Sequence, residues 1–271
     1  MYVKERAWLP AREISCGWSG NWRIQNSYYI EIGHNMRGET ISILIANYNN
    51  AEFLEECVDS VLDQTSDRWD IRIVDDASTD RSEEIYVKYD DRSKINISYN
   101  KENIGLVRTL KKLIALSKSD IVGILDTDDK LDSTCVEKVA DYYDRHPSAG
   151  FVYTNFWYCD EKMNINKLGF CKPIRPGQTN LELDCVSHFK TFRKSVYEKT
   201  KGYDENILYA EDKDLIFKME EVTRLHFIDE PLYYYRVRRQ SQAHGPYRAI
   251  GKKNCELAKQ NARVRRGLAN L

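Results

Sequence analysis

Short apolar runs alternate with amphipathic stretches through the first half of the chain. The runs are bounded by polar residues and lie at 41–46, 71–74, 95–99 and 121–125. Such runs are typical of strands that are buried on both faces of a sheet. Apolar side chains at helical spacing follow them and predict helices over 52–64, 80–89, 106–117 and 133–146. The alternation predicts a parallel α/β sheet with right-handed helical crossovers.

The hydrophobic pattern is less regular after Pro147. We predict a helix over 211–222, with Leu215, Ile216 and Met219 on its apolar face. Strands are predicted over 151–156, 186–193 and 225–228. We interpret this half as part of the same domain.

Residues 1–38 precede the alternating pattern and contain Trp8, Trp18 and Trp22. Clustered aromatic side chains usually bury themselves against neighbouring structure. We therefore expect this Trp-rich extension to pack on the core. A binding surface is the alternative.

Composition narrows the class of protein. The chain of 271 residues has 41 Lys plus Arg against 42 Asp plus Glu, so its balanced charge gives no reason to expect a nucleic-acid partner. No apolar run has the length of a membrane span, and the first residues lack the apolar core of a signal peptide. The seven cysteines are scattered without a C-x-x-C pair. These features predict a soluble cytoplasmic protein.

An acidic motif follows the apolar run at 121–125. It reads Asp126-Thr127-Asp128-Asp129. Carboxylates this close repel one another unless a cation lies among them, and Mg²⁺ and Mn²⁺ prefer oxygen ligands shared with phosphates. The carboxyl ends of strands are also where open α/β sheets bind ligands. The alternative is that one Asp caps the helix predicted over 133–146, but three acids exceed what a cap needs.

Polar loops follow the first two apolar runs. The first contains Asn47 and Tyr48 and has no Gly-x-Gly, so it offers a ring and amides to a base instead of a pyrophosphate turn. The second contains Asp75 and Asp76, which suit contacts with a base or a ribose. Capping of the following helices is the alternative for both loops.

A third loop, before the helix predicted over 106–117, contains Gly105 and Arg108. The glycine permits a close approach of a ligand, and the arginine provides a cation for phosphate. Arg108 could equally be an ordinary surface residue of its helix.

Five stretches occur in a characteristic order: ISILIANYNN, IVDDASTD, NIGLVRTL, ILDTDDKL and KGYDENILYAEDKDLIFKM. From about residue 40 to 237 the chain resembles the family 2 inverting glycosyltransferases with the GT-A fold. The resemblance implies an α/β/α sandwich with a mostly parallel central sheet over 39–240. It further implies a nucleotide-sugar half at 39–130 and an acceptor half at 131–240, followed by a basic C-terminal tail at 241–271.

Position by position, the resemblance implies a role for each matching residue. Asp212 is expected to be the catalytic base. Asp128 and Asp129 are the expected metal ligands, for Mn²⁺ or Mg²⁺. Glu211, His188 and Trp157 are expected acceptor contacts. The nucleotide sugar is expected to contact Asn47, Tyr48, Asp75, Asp76, Gly105, Arg108, Asp126 and Arg238.

One segment departs from the family pattern. The family often continues as Y-R-x-H-x-x-S, whereas this chain has Arg238 where the histidine would stand. Arginine holds phosphate oxygens in a fork but does not ligate metal. Either Arg238 or Arg239 contacts the diphosphate, or His244 takes the metal role.

The basic tail allows two interpretations. Its Lys and Arg residues could place a helix on an anionic membrane, where lipid-linked acceptors reside. Its thin apolar face fits a solvated helix packed on the domain equally well.

The sequence thus predicts a cytoplasmic, metal-dependent inverting glycosyltransferase, and one interpretation of its tail adds peripheral membrane contact. UDP is the expected carrier of the donor sugar, and the expected acceptor is a glycan or a lipid-linked sugar in surface polysaccharide biosynthesis. Two alternatives are a sugar-phosphate nucleotidyltransferase and a non-catalytic sugar-nucleotide-binding protein. The first should show a Gly-rich basic loop after the first strand, and the second would not need both Asp128 and Asp212.

Overall fold

The apolar runs form strands of one mixed sheet. The computed structural model describes residues 38–238 and 247–268. Its strands are β1 Ile41–Asn47, β2 Trp69–Asp75, β3 Ile95–Tyr99, β4 Ile121–Ile124, β5 Lys130–Leu131, β6 Phe151–Cys159, β7 Ile165–Leu168, β8 Lys190–Arg193 and β9 Leu225–Arg236. The helices are α1 Ala51–Leu62, α2 Ser82–Tyr86, α3 Leu106–Leu116, α4 Cys135–Arg145, α5 Asn180–Leu183, α6 Lys194–Tyr197, α7 Glu211–Glu220 and α8 Arg248–Arg265.

The strand order is β3-β2-β1-β4-β8-β6-β9-β5, and β7 extends the sheet beside β6. The first four strands in this order pair in parallel, as their helical crossovers require. Strand β8 is antiparallel to both β4 and β6, and β6 and β9 are parallel. The α/β prediction is therefore confirmed. The parallel strands β1, β2 and β4 all end at the edge of the sheet where the acidic motif lies.

The second half departs from the predicted strand boundaries. The strand predicted over 186–193 begins only at Lys190. The backbone N–H groups of Val186 and Phe189 donate to the side chains of Asn180 and Thr154, and are therefore not paired with a strand. The strand predicted over 225–228 continues to Arg236. Its register with β6 shifts near Pro231, which has no N–H to donate to a neighbour.

The described part of the basic tail is helix α8, which packs on α7. Ala258 and Ala262 are fully buried in a cluster with Phe217. Arg265 and Arg266 form ion pairs with Glu221. The helix therefore uses its small residues and part of its charge against the domain. Among the described residues, no helix combines the length and the apolar character needed to cross a bilayer.

Some predictions fall outside the described residues. They are the packing of Trp8, Trp18 and Trp22 and the roles of Arg239 and His244.

Gly123 on β4 lies against the loop before β8, and a substitution of this glycine tests how closely the two pack. A Cβ atom at this position would clash with the ring of Phe189, which is fully buried. We expect Gly123→Ala to lower the free energy of unfolding by about 1–3 kcal/mol, because overpacking displaces the ring. The cost should shrink in a Phe189→Leu background, where the clashing ring atoms are gone. Denaturant titration of the two single variants and the double variant measures this coupling, and additive effects would contradict it.

Candidate active site

The loop after β1 is held by a buried polar network. The side chain of Asn47, which is 1% exposed, donates hydrogen bonds to Asp75 at 3.0 Å and to Ser82 at 2.9 Å. Asp75 also accepts from the hydroxyl of Tyr86 at 2.8 Å. Asn47 and Asp75 therefore fix the shape of this edge of the sheet. Tyr48 remains 45% exposed beside them.

Asp76 holds the loop before α3. Its carboxylate accepts from the backbone N–H groups of Ile104 and Gly105, both at 2.9 Å, and from the Asn100 amide at 2.7 Å. Gly105 has φ 86°, in the left-handed region that favours glycine, and the space where a Cβ would lie is open. The loop therefore presents bare backbone to its surroundings.

These loops form one wall of a cleft of about 560 Å³, which we call the Tyr48 cleft. Tyr48, Asp76 and Gly105 line this wall. Tyr209 and Tyr247 line the cleft as well, stacked with centroids 4.6 Å apart and planes at 10°. The sequence analysis did not predict this pair, whose members are 38 positions apart in the chain (247 − 209). The cleft has the size and the aromatic lining typical of a small-molecule site.

Glu211 lies at the start of α7 and also lines the Tyr48 cleft. It is 8% exposed, and its Oε2 has no hydrogen-bond partner among the described residues. Burial, together with the charge of Asp212, raises the pKa of Glu211 to about 7. A buried carboxylate oxygen without a partner, in a residue that lines a cleft, is a candidate hydrogen-bond group for a ligand.

Arg108 lies outside the Tyr48 cleft. Its Nε donates to Glu205 at 2.9 Å, and Lys111 pairs with the same carboxylate. Both basic residues line a separate cavity of about 860 Å³, whose lining includes none of the other residues predicted to bind the nucleotide sugar. The structure therefore does not bring Arg108 to the other residues predicted to bind the nucleotide sugar.

The acidic motif after β4 sends its carboxylates to different partners. Asp129, which is 2% exposed, accepts from the Tyr233 hydroxyl and from the Arg236 backbone N–H, both at 2.7 Å. Asp128 accepts from Nε of Arg238 at 2.8 Å. Burial raises the pKa of Asp126 to about 7, against the opposing charge of Lys190. The carboxylates of Asp126, Asp128 and Asp129 therefore differ in the groups that stabilise them.

The carboxylates of Asp126 and Asp129 and the ring of His188 could together hold a metal ion. One ligand atom from each lies within 4.8 Å of the others. Two carboxylates and an imidazole fit a divalent cation such as Mn²⁺ or Mg²⁺. This grouping includes His188, which was predicted as an acceptor contact. It leaves out Asp128, a predicted metal ligand, which pairs with Arg238 instead.

Asp212 forms an ion pair that the sequence analysis did not predict. Nζ of Lys190 lies 2.5 Å from Oδ2 of Asp212, and Lys190 is only 5% exposed. Burial alone would lower the pKa of Lys190, but the charges of Asp212 and Asp126 raise it above its usual value. No other hydrogen bond from the described residues reaches the Asp212 carboxylate. Its second oxygen is therefore available to another group.

A signal for Lys190 was present in the sequence, because it lies between Phe189 and Phe192 in a segment predicted as a strand, where a lysine is costly to bury.

Trp157, which was predicted as an acceptor contact, lies outside the cleft that its neighbours line. Its neighbours Phe156 and Tyr158 line a cleft beside His188, whereas Trp157 is not part of that lining.

Comparisons with known proteins identify the family and the fold of the chain. A family model described as "Glycosyl transferase family 2" matches residues 42–201, which is more than half of the chain. The chain belongs to this family. The family assignment made from the sequence motifs is therefore confirmed.

Two curated relatives are synthases. A chondroitin synthase of Escherichia coli is 28% identical over 222 residues, which cover 82% of this chain and 31% of that protein. A hyaluronan synthase of Pasteurella multocida is 28% identical over 205 residues, which cover 75% of this chain and 21% of that protein. The family 2 chain therefore spans less than a third of the length of these relatives.

Two solved structures share the fold. S. aureus TarS 1–349 in complex with UDP-GlcNAc has a TM-score of 0.71 at 18% identity, over 86% of this chain and 68% of that chain. The mannosyltransferase PcManGT from Pyrobaculum calidifontis, in complex with GDP-Man and Mn²⁺, has a TM-score of 0.62 at 16% identity. That match covers 85% of this chain and 65% of that chain. The predicted GT-A fold is confirmed.

The grouping of Asp126, Asp129 and His188 predicts which variants lose metal binding. We expect Mn²⁺ with UDP to raise the melting temperature of the wild-type protein, because a ligand that binds only the native state stabilises it. The rise should be lost in Asp126→Asn and in His188→Gln, since each removes a ligand. Asp67→Asn is the control, because that side chain is 94% exposed. An unchanged rise in both site variants, or in the presence of a chelator, would contradict the metal site.

Glu211 makes the stability of the protein depend on pH. Its pKa is raised from 4.5 to about 7, so the folded state keeps a proton that the unfolded chain releases. The stability gained in this way is complete below about pH 4.5 and is lost as the pH rises towards 7. Glu211→Gln should therefore raise the melting temperature at pH 8 more than at pH 5. Parallel thermal denaturation at the two pH values checks this, and an equal shift at both would contradict it.

Proposed function

We propose that this family 2 chain is an inverting glycosyltransferase that uses a nucleotide-diphosphate sugar, with UDP as the expected carrier. The expected acceptor is a hydroxyl of a glycan or of a lipid-linked sugar in surface polysaccharide synthesis. The names of the chondroitin and hyaluronan synthases support a role in polysaccharide synthesis. The bound UDP-GlcNAc and GDP-Man of the structural neighbours support a nucleotide-sugar donor.

The observation that carries this proposal is the ion pair between Asp212 and Lys190. It fixes a half-exposed carboxylate next to Glu211, which lines the Tyr48 cleft, and the charge of Asp212 acts on Asp126. A general base must have a carboxylate oxygen free to meet a hydroxyl while the rest of the group is held in place. Lys190 holds Oδ2 of Asp212 in place and leaves the other carboxylate oxygen free, so both requirements are met.

The donor half comprises residues 39–130. In this proposal the nucleotide base of the donor lies against the exposed face of Tyr48. Asn47, Asp75 and Asp76 keep the loops in position. Gly105 allows the ligand to approach the backbone, and Asp126 contacts the ribose. The acceptor half comprises residues 131–240 and supplies Lys190 and Asp212, with the tail packed on it through α8.

The diphosphate needs positive charge as it leaves. Asp126, Asp129 and His188 would hold Mn²⁺ or Mg²⁺, which when bound neutralises the charge that develops on the diphosphate. Arg238 stands next to this group through its pair with Asp128. Its guanidinium can bind phosphate oxygens in a fork.

The reaction then follows from the positions of these side chains. The free oxygen of Asp212 takes the proton of the acceptor hydroxyl, and the hydroxyl oxygen forms a bond to the anomeric carbon. The bond between that carbon and the diphosphate breaks, and the nucleoside diphosphate leaves with the bonding electrons. A single displacement of this kind inverts the anomeric centre.

Both alternative functions explain less of the site. A nucleotidyltransferase should have a glycine-rich basic loop after β1, whereas this chain has Tyr48 in a loop of asparagines. A non-catalytic binding protein gains nothing from burying Lys190 to hold Asp212, because the buried charge costs stability.

Asp212→Asn tests the general base. We expect UDP binding with Mn²⁺ to be nearly unchanged and turnover of a UDP-sugar to fall by roughly a hundredfold or more, the scale of general-base catalysis. Release of UDP from a panel of UDP-sugars, in one buffer, measures turnover, and calorimetry measures UDP binding. Glu211→Gln is the neighbouring comparison and should cost less.

Turnover retained in Asp212→Asn would move the base to Glu211 or Asp204. Lost UDP binding in that variant would instead show that Asp212 supports the structure of the donor site.

A further inference from the structure

A second cleft lies between the β6–β7 hairpin and the end of β9. It measures about 450 Å³, and we call it the aromatic cleft because Phe156, Tyr158 and Tyr235 line it. His188 and Lys167 line the same cleft. None of these residues lines the Tyr48 cleft. The donor proposal therefore leaves the aromatic cleft without a ligand.

His188 connects the aromatic cleft to the reactive carboxylates. Its ring is stacked on Tyr233 at 4.6 Å and 12°, and on Tyr235 at 5.1 Å and 19°. A nitrogen of the same ring lies within 4.8 Å of carboxylate oxygens of Asp126 and Asp129. The ring is thus fixed in orientation by two aromatic neighbours. A molecule in the aromatic cleft that contacts His188 therefore lies next to the two acids that are proposed to hold the metal.

The lining has the chemistry of a sugar site. Aromatic rings pack against the apolar C–H face of a pyranose, and the Asn166 amide and the Ser187 hydroxyl can exchange hydrogen bonds with sugar hydroxyls. Tyr158 and Tyr235 are only half-buried, so part of each ring is open to a ligand. The aromatic cleft is therefore suited to one pyranose ring.

Lys167 gives the aromatic cleft a positive charge. Lys167 is exposed, and its Nζ lies 4.8 Å from the centre of the Tyr158 ring. No ion pair joins Lys167 to any acid in the parts of the chain that the structure describes, and no carboxylate lines the aromatic cleft. A single exposed ammonium provides a partner for one anionic substituent of a bound sugar, such as a carboxylate.

We propose that the aromatic cleft binds the terminal sugar of the acceptor, and that this sugar is a uronic acid whose carboxylate pairs with Lys167. The inference rests on the proposed glycosyltransferase function and adds the substrate class of the acceptor. Tyr158 and Tyr235 hold the pyranose ring, Lys167 selects its charge, and His188 marks the end that faces the donor.

Binding of two matched probes tests this proposal on the full chain. One probe is a disaccharide with glucuronate at its non-reducing end, and the other is its carboxyl-reduced counterpart, which ends in glucose. Calorimetry in the presence of UDP and Mn²⁺ should show tighter binding of the acidic probe. Lys167→Gln should weaken binding of the acidic probe by about fivefold, the effect of losing an exposed ion pair, and leave the neutral probe unchanged.

The hairpin provides a matched control. Lys162→Gln removes the same charge from the turn between β6 and β7, but Lys162 does not line the aromatic cleft. It should leave the affinity for both probes unchanged. Asn166→Asp, at an exposed position in the lining, should weaken binding of the acidic probe more than binding of the neutral probe, because only the acidic probe is repelled by the added charge. Tyr158→Leu should weaken both probes, because the stacking surface is lost while most of the side-chain volume remains.

Each outcome bears on the proposal. Equal affinity of the wild-type protein for both probes, or an equal loss of both in Lys167→Gln, would overturn the uronic-acid assignment. Unchanged binding of both probes by Tyr158→Leu would place the acceptor elsewhere. UDP titrated in the same experiments reports separately on the donor site. A protein that binds UDP but neither probe would overturn this inference alone, and one that binds the acidic probe but not UDP would overturn the proposed donor function alone.

Discussion

The burial of acidic side chains after β4 is the constraint on which the site depends. Asp129 is almost completely buried, and burial raises the pKa of Asp126 to about 7. Carboxylates removed from water are stable only when hydrogen bonds or opposite charges compensate them. Tyr233 and the Arg236 backbone provide that compensation for Asp129, and Lys190 provides it for Asp126. The buried acids are thus stabilised by residues from the second half of the chain.

The sheet topology brings these partners together. Strand β8 inserts antiparallel beside β4 and places Lys190 opposite Ile124, two residues before Asp126. Strand β9 runs past β6 to pair with β5, directly after the acidic motif, and so brings Tyr233 to the motif. Two clefts each have one lining residue near these acids. Glu211 of the Tyr48 cleft feels the charge of Asp126, and the His188 ring of the aromatic cleft lies within 4.8 Å of oxygens of Asp126 and Asp129. The proposed transfer places the donor in the first cleft and the acceptor sugar in the second.

Much of the first half of the chain could be predicted from the sequence. The four parallel strands, their helices and the polar residues at the strand ends follow from local periodicity. Strands β1 and β4 are buried on both faces, while β3 lies partly exposed at the end of the strand order. The second half was predicted less well. Side chains of Asn180 and Thr154 occupy backbone groups of the segment before β8, so an apolar segment that resembles a strand is not one. Strand β9 continues beyond Pro231 because pairing with β6 outweighs the missing N–H.

The sequence by itself determined the fold class and the family and predicted a set of candidate site residues, because these follow from local patterns and ordered motifs. The tertiary structure decided which partner each of these residues takes. Asp128 pairs with Arg238, Asp212 with Lys190 and Arg108 with Glu205, across separations that no local pattern encodes. The physical reason is that strand order and register set these distances. Only the folded sheet brings the carboxylates of the first half to the cations and aromatic rings of the second.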